Sequence, residues 1–388
     1  MKILYLTFYF EPDLCAGSFR NTPIAKQLSN TLLYTDKIDV ITTLPNRYIT
    51  YQIDAEEEQK YGNNLIVNRV KVPLHRSDLL GQIQTFITYF FSTLRLAKDE
   101  KYDLVFASSS RLFTAFLGAY IARKLKIPLY LDIRDIFKET IVDVLKKKWL
   151  LFFLSPVLTI IENYTFGYAK HINLVSEGFN EYFVKYKQAK FSFFTNGIDD
   201  EFMKTQPTVN LHNHSKVILY AGNLGEGQGL HTIIPNAAEL LGNEYLFRII
   251  GDGGMKQKLL EEINIRHLKN VEILNPVNRK ELIKHYEKAD FLFVHLNDYP
   301  AFKKVLPSKI FEYSAYDKPM IAGVGGYAAK FIKENVENHI LFAPSDADNM
   351  VKQLKTFEYK LFSRNTFIQK FSRENIVKSI AESIVSTK

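Results

Sequence analysis

Cysteine is almost missing from this chain of 388 residues: Cys15 stands alone, so no disulfide can close within it. A single thiol suits a reducing compartment, and a cytoplasmic protein is expected. The nine histidines show no ligand spacing. His295 ends an apolar run, and His212 and His214 sit in a polar linker, so satisfied or exposed rings are expected rather than a metal centre. No Ser–His–Asp or Cys–His constellation can be assembled, because Cys15 lacks an identifiable base. No apolar run reaches the roughly 20 residues of a membrane-spanning helix. The start, Met1-Lys2-Ile3-Leu4-Tyr5-Leu6, reads as a buried strand without the cleavage site of a signal peptide. Repeats and low-complexity tracts are lacking too. The formal charge of +8 is spread evenly over both halves, with no basic tail or stripe, which speaks against a nucleic-acid partner.

What is present is length and alternation. A chain of 388 residues exceeds a single hydrophobic core, so two domains are expected. Strand patterns fall at 2–8, 38–43, 64–69, 104–107, 128–133, 171–175 and 191–194. Helical patterns lie between them, at 21–32, 111–124 and along 139–168, where Pro156 is expected to interrupt the helix. The second half repeats the theme, with strands at 216–221, 245–250, 271–274, 291–295, 319–321 and 339–342. Its helices are expected at 230–241, 255–266, 279–288, 307–316 and 328–335, and one or two amphipathic helices close the chain at 363–388. Such βα alternation implies two parallel sheets with helices on both faces. The join lies near Thr195-Asn196-Gly197-Ile198-Asp199 and the polar stretch 204–215. Ligands of such sheets gather at the carboxyl ends of the strands, so the strand-to-helix loops carry the interest.

Two apolar stretches, 79–97 and 149–161, admit two readings. They are either core helices of an α/β domain or helices lying in a bilayer surface, the second preceded by Lys146-Lys147-Lys148. Loss of liposome flotation on changing these lysines to Glu would favour the surface reading.

The most informative segment is Val305-Leu306-Pro307-Ser308-Lys309-Ile310-Phe311-Glu312-Tyr313. Pro307 can open a helix and Ser308 can cap its free N–H groups. Lys309 in that first turn is electrostatically awkward unless an anion joins it. Glu312 follows one turn later on the same face, placed to accept hydrogen bonds from a diol such as a ribose. A phosphorylated ligand and an ordinary capped amphipathic helix both satisfy this pattern.

Other strand ends add to it. Ala221-Gly222-Asn223-Leu224-Gly225-Glu226-Gly227-Gln228-Gly229 places four glycines within eight residues, without the spacing of a P-loop or dinucleotide fingerprint. Ile250-Gly251-Asp252-Gly253-Gly254 follows the next strand. Gly17 would let backbone approach a ligand after the first strand, and Arg20 would open the helix that follows. In Leu131-Asp132-Ile133-Arg134-Asp135, Asp132 and Arg134 would share one side of a continuing strand and could form an ion pair at its mouth. The segment reads either as a solvated strand end or as a functional one, and charges in an otherwise apolar segment favour function.

Jointly, YAGNLGEGQGL, IIGDGG, ADFLFVHL, LPSKIFEYSAYDKPMIA, LDIRDIF and TNGID resemble the family 4 glycosyltransferases of the GT-B fold, in their bacterial surface-polysaccharide branch. The resemblance implies two facing Rossmann-like domains with an interdomain cleft, at 1–200 and 201–362, and a C-terminal helix at 363–388 returning to the first. It implies that Pro307, Ser308, Lys309 and the loop with Gly222, Asn223 and Gly225 hold a donor diphosphate. Glu312 would bind the ribose, Gly251 and Leu274-Asn275-Pro276-Val277 would flank the base, and Gly17 would close over the diphosphate. Asp132, Arg134 and Asp135 would face the acceptor or the transferred sugar, with Lys309 aiding catalysis.

Enzymes of this kind retain anomeric configuration without a metal or cofactor. The departing phosphate itself takes the acceptor's proton, while the protein stabilises charge and aligns the reactants. The implied activity moves an N-acetylated hexosamine or deoxyhexosamine from a UDP-linked donor to a lipid-linked saccharide of O-antigen or capsule, at the cytoplasmic face of an anionic inner membrane. A nucleotide-sugar epimerase and a noncatalytic assembly scaffold are the rival readings. Two departures stand out. Lys304 occupies a position where the family often has glutamate, and Asn223 and Gln228 lie in a loop that commonly carries an arginine or lysine. Lys303 or Lys304 is a candidate to restore that charge.

Overall fold

The computed structural model describes residues 1–46, 53–73, 79–109, 112–144, 148–203 and 215–387. Lys146 and Lys147, and the linker histidines His212 and His214, lie outside them. The chain divides into two units, Met1–Thr195 with Glu374–Lys388, and Asn196–Arg373.

The first unit runs β1 (Lys2–Thr7), α1 (Ala16–Thr31), β2 (Lys37–Thr43), β3 (Glu58–Tyr61), β4 (Leu65–Val70), α2 (Leu79–Leu96) and β5 (Leu104–Ser109). It continues with α3 (Leu112–Leu125), β6 (Leu129–Ile133), α4 (Phe137–Val144), α5 (Lys148–Phe166), β7 (His171–Leu174), α6 (Asn180–Phe183) and β8 (Lys190–Ser192). Its sheet has the order β3-β4-β2-β1-β5-β6-β7-β8, parallel except for the β3 edge. One face buries Tyr5, Val40 and Phe106 against Ile24 and Leu28 of α1 and against Val377, Ile380 and Ile384 near the C-terminus.

The second unit runs α7 (Asp200–Met203), β9 (Lys216–Asn223), α8 (Leu230–Leu241), β10 (Tyr245–Asp252), α9 (Lys256–Ile265), β11 (Val271–Leu274) and α10 (Arg279–Lys288). Then follow β12 (Phe291–His295), α11 (Ser308–Ser314), β13 (Met320–Gly323), α12 (Gly326–Asn335), β14 (His339–Phe342), α13 (Ala347–Thr356) and α14 (Asn365–Lys370). The last helix, α15 (Arg373–Val385), begins here and belongs to the first unit from Glu374 onward. The sheet order β11-β10-β9-β12-β13-β14 is parallel throughout. Its strands are apolar on both faces, as a sheet covered on both sides requires: Leu219 and Ala221 join one core, Ile218 and Tyr220 the other.

Both sheets change their direction of growth once, at β1/β5 and at β9/β12. These switch points open crevices at the carboxyl ends of the strands, and the glycine loops after β1 and β9 lie there.

Two expectations need correction. Pro156 does not interrupt a helix but lies inside α5. A proline removes one donor and crowds the carbonyl four residues back. That residue is Phe152, 76% exposed, so the disturbance falls on the solvent side. Residues 363–388 do not act as one segment: Phe367 and Phe371 pack with Phe311 and Phe331 in the second unit's core, and only the remainder crosses. The crossing itself is tied down beforehand, where Ile198 pairs with Ser372 and Arg373 forms an ion pair with Asp199.

Candidate functional site

In the second unit the site is built on two neighbouring strand ends. Gly222, next to last in β9, has φ +146° and Gly251, next to last in β10, has φ +156°, backbone that L side chains rarely adopt. The sheet register sets them side by side, and a Cβ on Gly251 would run into the Gly222 carbonyl oxygen. Only glycine fits here. Asn223 Nδ2 and the Gly225 N–H both donate to Gln228 Oε1, at 2.9 and 3.2 Å, folding the loop onto itself.

His295, at the end of β12, braces that loop. Its Nε2 accepts from the Ser345 N–H at 2.9 Å, so Nδ1 carries the proton and donates to the Gln228 carbonyl at 2.7 Å. Burial pushes its pKa down to about 4, the bond to Gln228 opposing, which keeps the ring neutral. The satisfied ring expected from sequence is what the structure shows; its bracing role was not legible there.

Helix α11 brings the charged pair. Pro307, at φ −62° and ψ 135°, is the residue before the helix rather than its first, and Ser308 takes the first helical position instead of capping. Lys309 Nζ reaches across to β9, where a Cβ on Gly222 would meet it. It lies 5.3 Å from the ring centroid of Tyr220 and 5.8 Å from that of Tyr313. Among the described residues no hydrogen bond or ion pair holds this ammonium. Burial pushes its pKa down, with only Glu312 pulling the other way. Two ring faces compensate part of that loss of water, and an anion would compensate more.

Glu312 stands one turn on, its Oε1 accepting the Tyr286 hydroxyl at 2.7 Å. The Ala221 N–H donates to the Tyr313 hydroxyl at 3.2 Å, fixing α11 to β9 and thereby Lys309 to Gly222. Beyond β11, Val277 packs on the core while Asn275 accepts from Lys256 Nζ at 2.9 Å.

The first unit has its own cluster. Asp132 does not pair with Arg134. It is 0% exposed and gripped by Arg20, whose Nε and Nη2 meet its two oxygens at 2.9 and 2.8 Å. Ser108 Oγ and Asn173 Nδ2 donate to it as well, each at 2.8 Å. Arg20 Nη1 and Nη2 also donate to the Thr195 and Phe194 carbonyls. Burial alone would push the Asp132 carboxyl up; Arg20 and the hydrogen bonds from Arg20 and Asn173 leave it below its usual range. Asp132 is therefore a buried tie between α1, β5, β6 and β7, not a group turned toward a ligand.

Arg134 and Asp135 follow β6 and stay with the cluster. Arg134 Nη1 is shut off from water with no hydrogen-bond partner among the described residues, and a Cβ on Gly17 would lie 3.1 Å from it. Burial and the nearby Arg20 push the Arg134 pKa down. Burial pushes Asp135 up to about 6, Arg134 opposing. Helix α1 begins beside them with no side-chain cap at Cys15 and no acid in its first turn. An uncapped helix start next to an unsatisfied guanidinium favours an anion or a polar oxygen.

Known proteins agree with this architecture. Residues 203–370 match the family model described as "Glycosyl transferases group 1". That match falls wholly within the second unit. A colanic acid biosynthesis glycosyl transferase of Escherichia coli, WcaI, described as putative, is 32% identical over 102 residues. That match spans 26% of this chain and 25% of the relative. Among solved structures, sucrose-phosphate synthase from Thermosynechococcus elongatus superposes with a TM-score of 0.76 at 13% identity, covering 98% of each chain. HepE from Anabaena, in complex with UDP-glucose, superposes at 0.71 with 18% identity over 100% of each. The fold is GT-B.

Against that family the two departures acquire a structural account. Asn223 Nδ2 donates to Gln228 Oε1, and the loop carries no cation of its own; Lys309 delivers one from α11 instead. Lys303 is engaged by Asp298 at 3.1 Å on the surface. Lys304 lies half-buried in the short turn Pro300–Lys304 that leads into α11.

Proposed function

We propose that this chain is a retaining, metal-independent glycosyltransferase that takes a sugar from a UDP-linked donor. The observation that carries this reading is Lys309: a half-buried ammonium set over two tyrosine rings, against a glycine whose backbone can be approached, with no ion pair among the described residues. The donor diphosphate supplies that anion, and Glu312 receives the ribose hydroxyls. UDP in the HepE complex supports the choice of nucleotide.

In the reaction, the acceptor oxygen bonds to the anomeric carbon as the bond to the β-phosphate breaks. The departing phosphate takes the acceptor's proton, and Lys309 stabilises the charge that develops on it. Arg134 and Asp135 face the acceptor or the transferred sugar, and Asp132 fixes their loop through Arg20. Product analysis by mass spectrometry, with a panel of UDP-sugars, tests the proposal. A glycosylated lipid-linked acceptor with release of UDP is expected. Conversion of the sugar without acceptor would instead establish the epimerase.

The acceptor we propose is a lipid-linked saccharide of O-antigen or capsule assembly, met at the cytoplasmic face of the membrane. No helix among the described residues is long and apolar enough to cross a bilayer. Yet α2 and α5 each carry an outward apolar stripe: Ile83, Ile87 and Phe91 on one, Phe152, Phe153, Val157 and Ile160 on the other. Their inner sides meet α3 through Phe90 against Phe116, and Tyr164 against Phe116. Core packing thus accounts for one side of each helix, and a bilayer surface would account for the other. Changing Phe152 and Phe153 to Glu is expected to abolish flotation with phosphatidylglycerol vesicles. Unchanged flotation would remove this part of the proposal.

A further inference from the structure

Glu312 must present its carboxylate in one plane if it is to take both hydroxyls of a vicinal diol. Nothing in its own side chain ensures that, because the last torsion of a glutamate is broad and twofold. The plane is set from behind. Tyr286, on α10, is fully buried, and its hydroxyl donates to Oε1 of Glu312 at 2.7 Å. Among the described residues this is the hydrogen bond that the Glu312 carboxylate accepts. The phenol ring cannot swing away, because Tyr313 and Tyr316 pack edge-on against it at 5.6 and 5.2 Å between centroids. Arg279, the nearby cation, is already taken by Asp199 and by Glu201. One oxygen of Glu312 is thereby oriented by a rigid donor, and the half-exposed side of the group is left for a ligand.

We infer that Tyr286 is a positioning residue for diol recognition: it sets Glu312, and through it the preference for a ribose over a ribose lacking its hydroxyls. The inference rests on the proposed role of Glu312 at the ribose. It predicts an effect on a ratio of affinities rather than on affinity at large, which a merely structural tyrosine would not produce.

The experiment compares UDP with 2′,3′-dideoxyuridine diphosphate on the full chain, in wild type, Tyr286→Phe and Glu312→Ala. Phenylalanine keeps the ring and its packing, and the dideoxy ligand serves as the internal control for folding. Wild type is expected to prefer UDP by at least about tenfold, the scale of a hydrogen bond to a charged group. Tyr286→Phe should lose most of that preference while binding the dideoxy ligand as wild type does. Retention of the preference in Tyr286→Phe, with its loss in Glu312→Ala, would overturn the inference and leave the ribose reading standing. Equal weakening of both ligands in Tyr286→Phe would reduce the residue to a packing role and also overturn it. A wild type indifferent to the hydroxyls would sink the ribose reading itself, and this inference with it.

Discussion

Alanine at position 132 is expected to cost the first domain about 3–5 kcal/mol of stability, the range for removing one partner of a buried ion pair. The loss is large because four donors end on that carboxylate: two from Arg20, one from Ser108 and one from Asn173. Truncation leaves a guanidinium, 1% exposed as a residue, with its charge uncompensated. Urea unfolding, with hydrogen exchange at α1 and β6 to identify the domain affected, measures it. A double change, Arg20→Met with Asp132→Leu, should cost less than the two single changes added, since each single change strands the other group. The pH dependence has a definite sign. The folded-state pKa of Asp132 is depressed, so its contribution is complete above the unfolded value of about 3.9 and fades as pH falls through the lower folded value. The advantage of wild type over Asp132→Asn should therefore vanish only in strong acid. A loss below about 1 kcal/mol for Asp132→Ala would show that the network is not the tie described here.

That network also shows where reading a sequence stops. Asp132 and Arg134 sit two apart, and strand alternation puts them on one side; but β6 ends at Ile133, so the alternation no longer applies to Arg134. The true partner, Arg20, lies 112 residues earlier, and only the β1–β5–β6 order brings it near. The parallel strands were legible because burial on both faces makes them continuous apolar runs. Strand β3 was not, since Glu58-Gln59-Lys60-Tyr61 is polar and pairs only along one edge. Helix α13 was missed as well, although Asp346 capping the Asn349 N–H is a readable start signal. In the second unit, residue types and order placed Lys309 and Glu312 on one helical face. They could not place Lys309 against Gly222, which depends on Tyr313 pinning α11 to β9. Nor could they find Tyr286, which reaches Glu312 from another helix.

Lys309→Ala is expected to weaken UDP binding by about 1–3 kcal/mol, roughly ten- to a hundredfold, because the diphosphate loses the half-buried cation that α11 supplies. The change removes an unpaired ammonium rather than a packed partner, so the free protein should not suffer. Relief of that half-buried charge works toward stability, whereas the loss of contacts with Tyr220 and Tyr313 works against it. A binding defect without a folding defect is thus the signature to look for.

The central claim is that Lys309 and Glu312 hold opposite ends of one nucleotide, and calorimetric titration of UDP into wild type, Lys309→Ala and Glu312→Ala addresses it directly. The account predicts measurable binding to wild type and at least a tenfold rise in Kd for each variant, with unfolding midpoints close to wild type. Undiminished UDP affinity in both variants would contradict it.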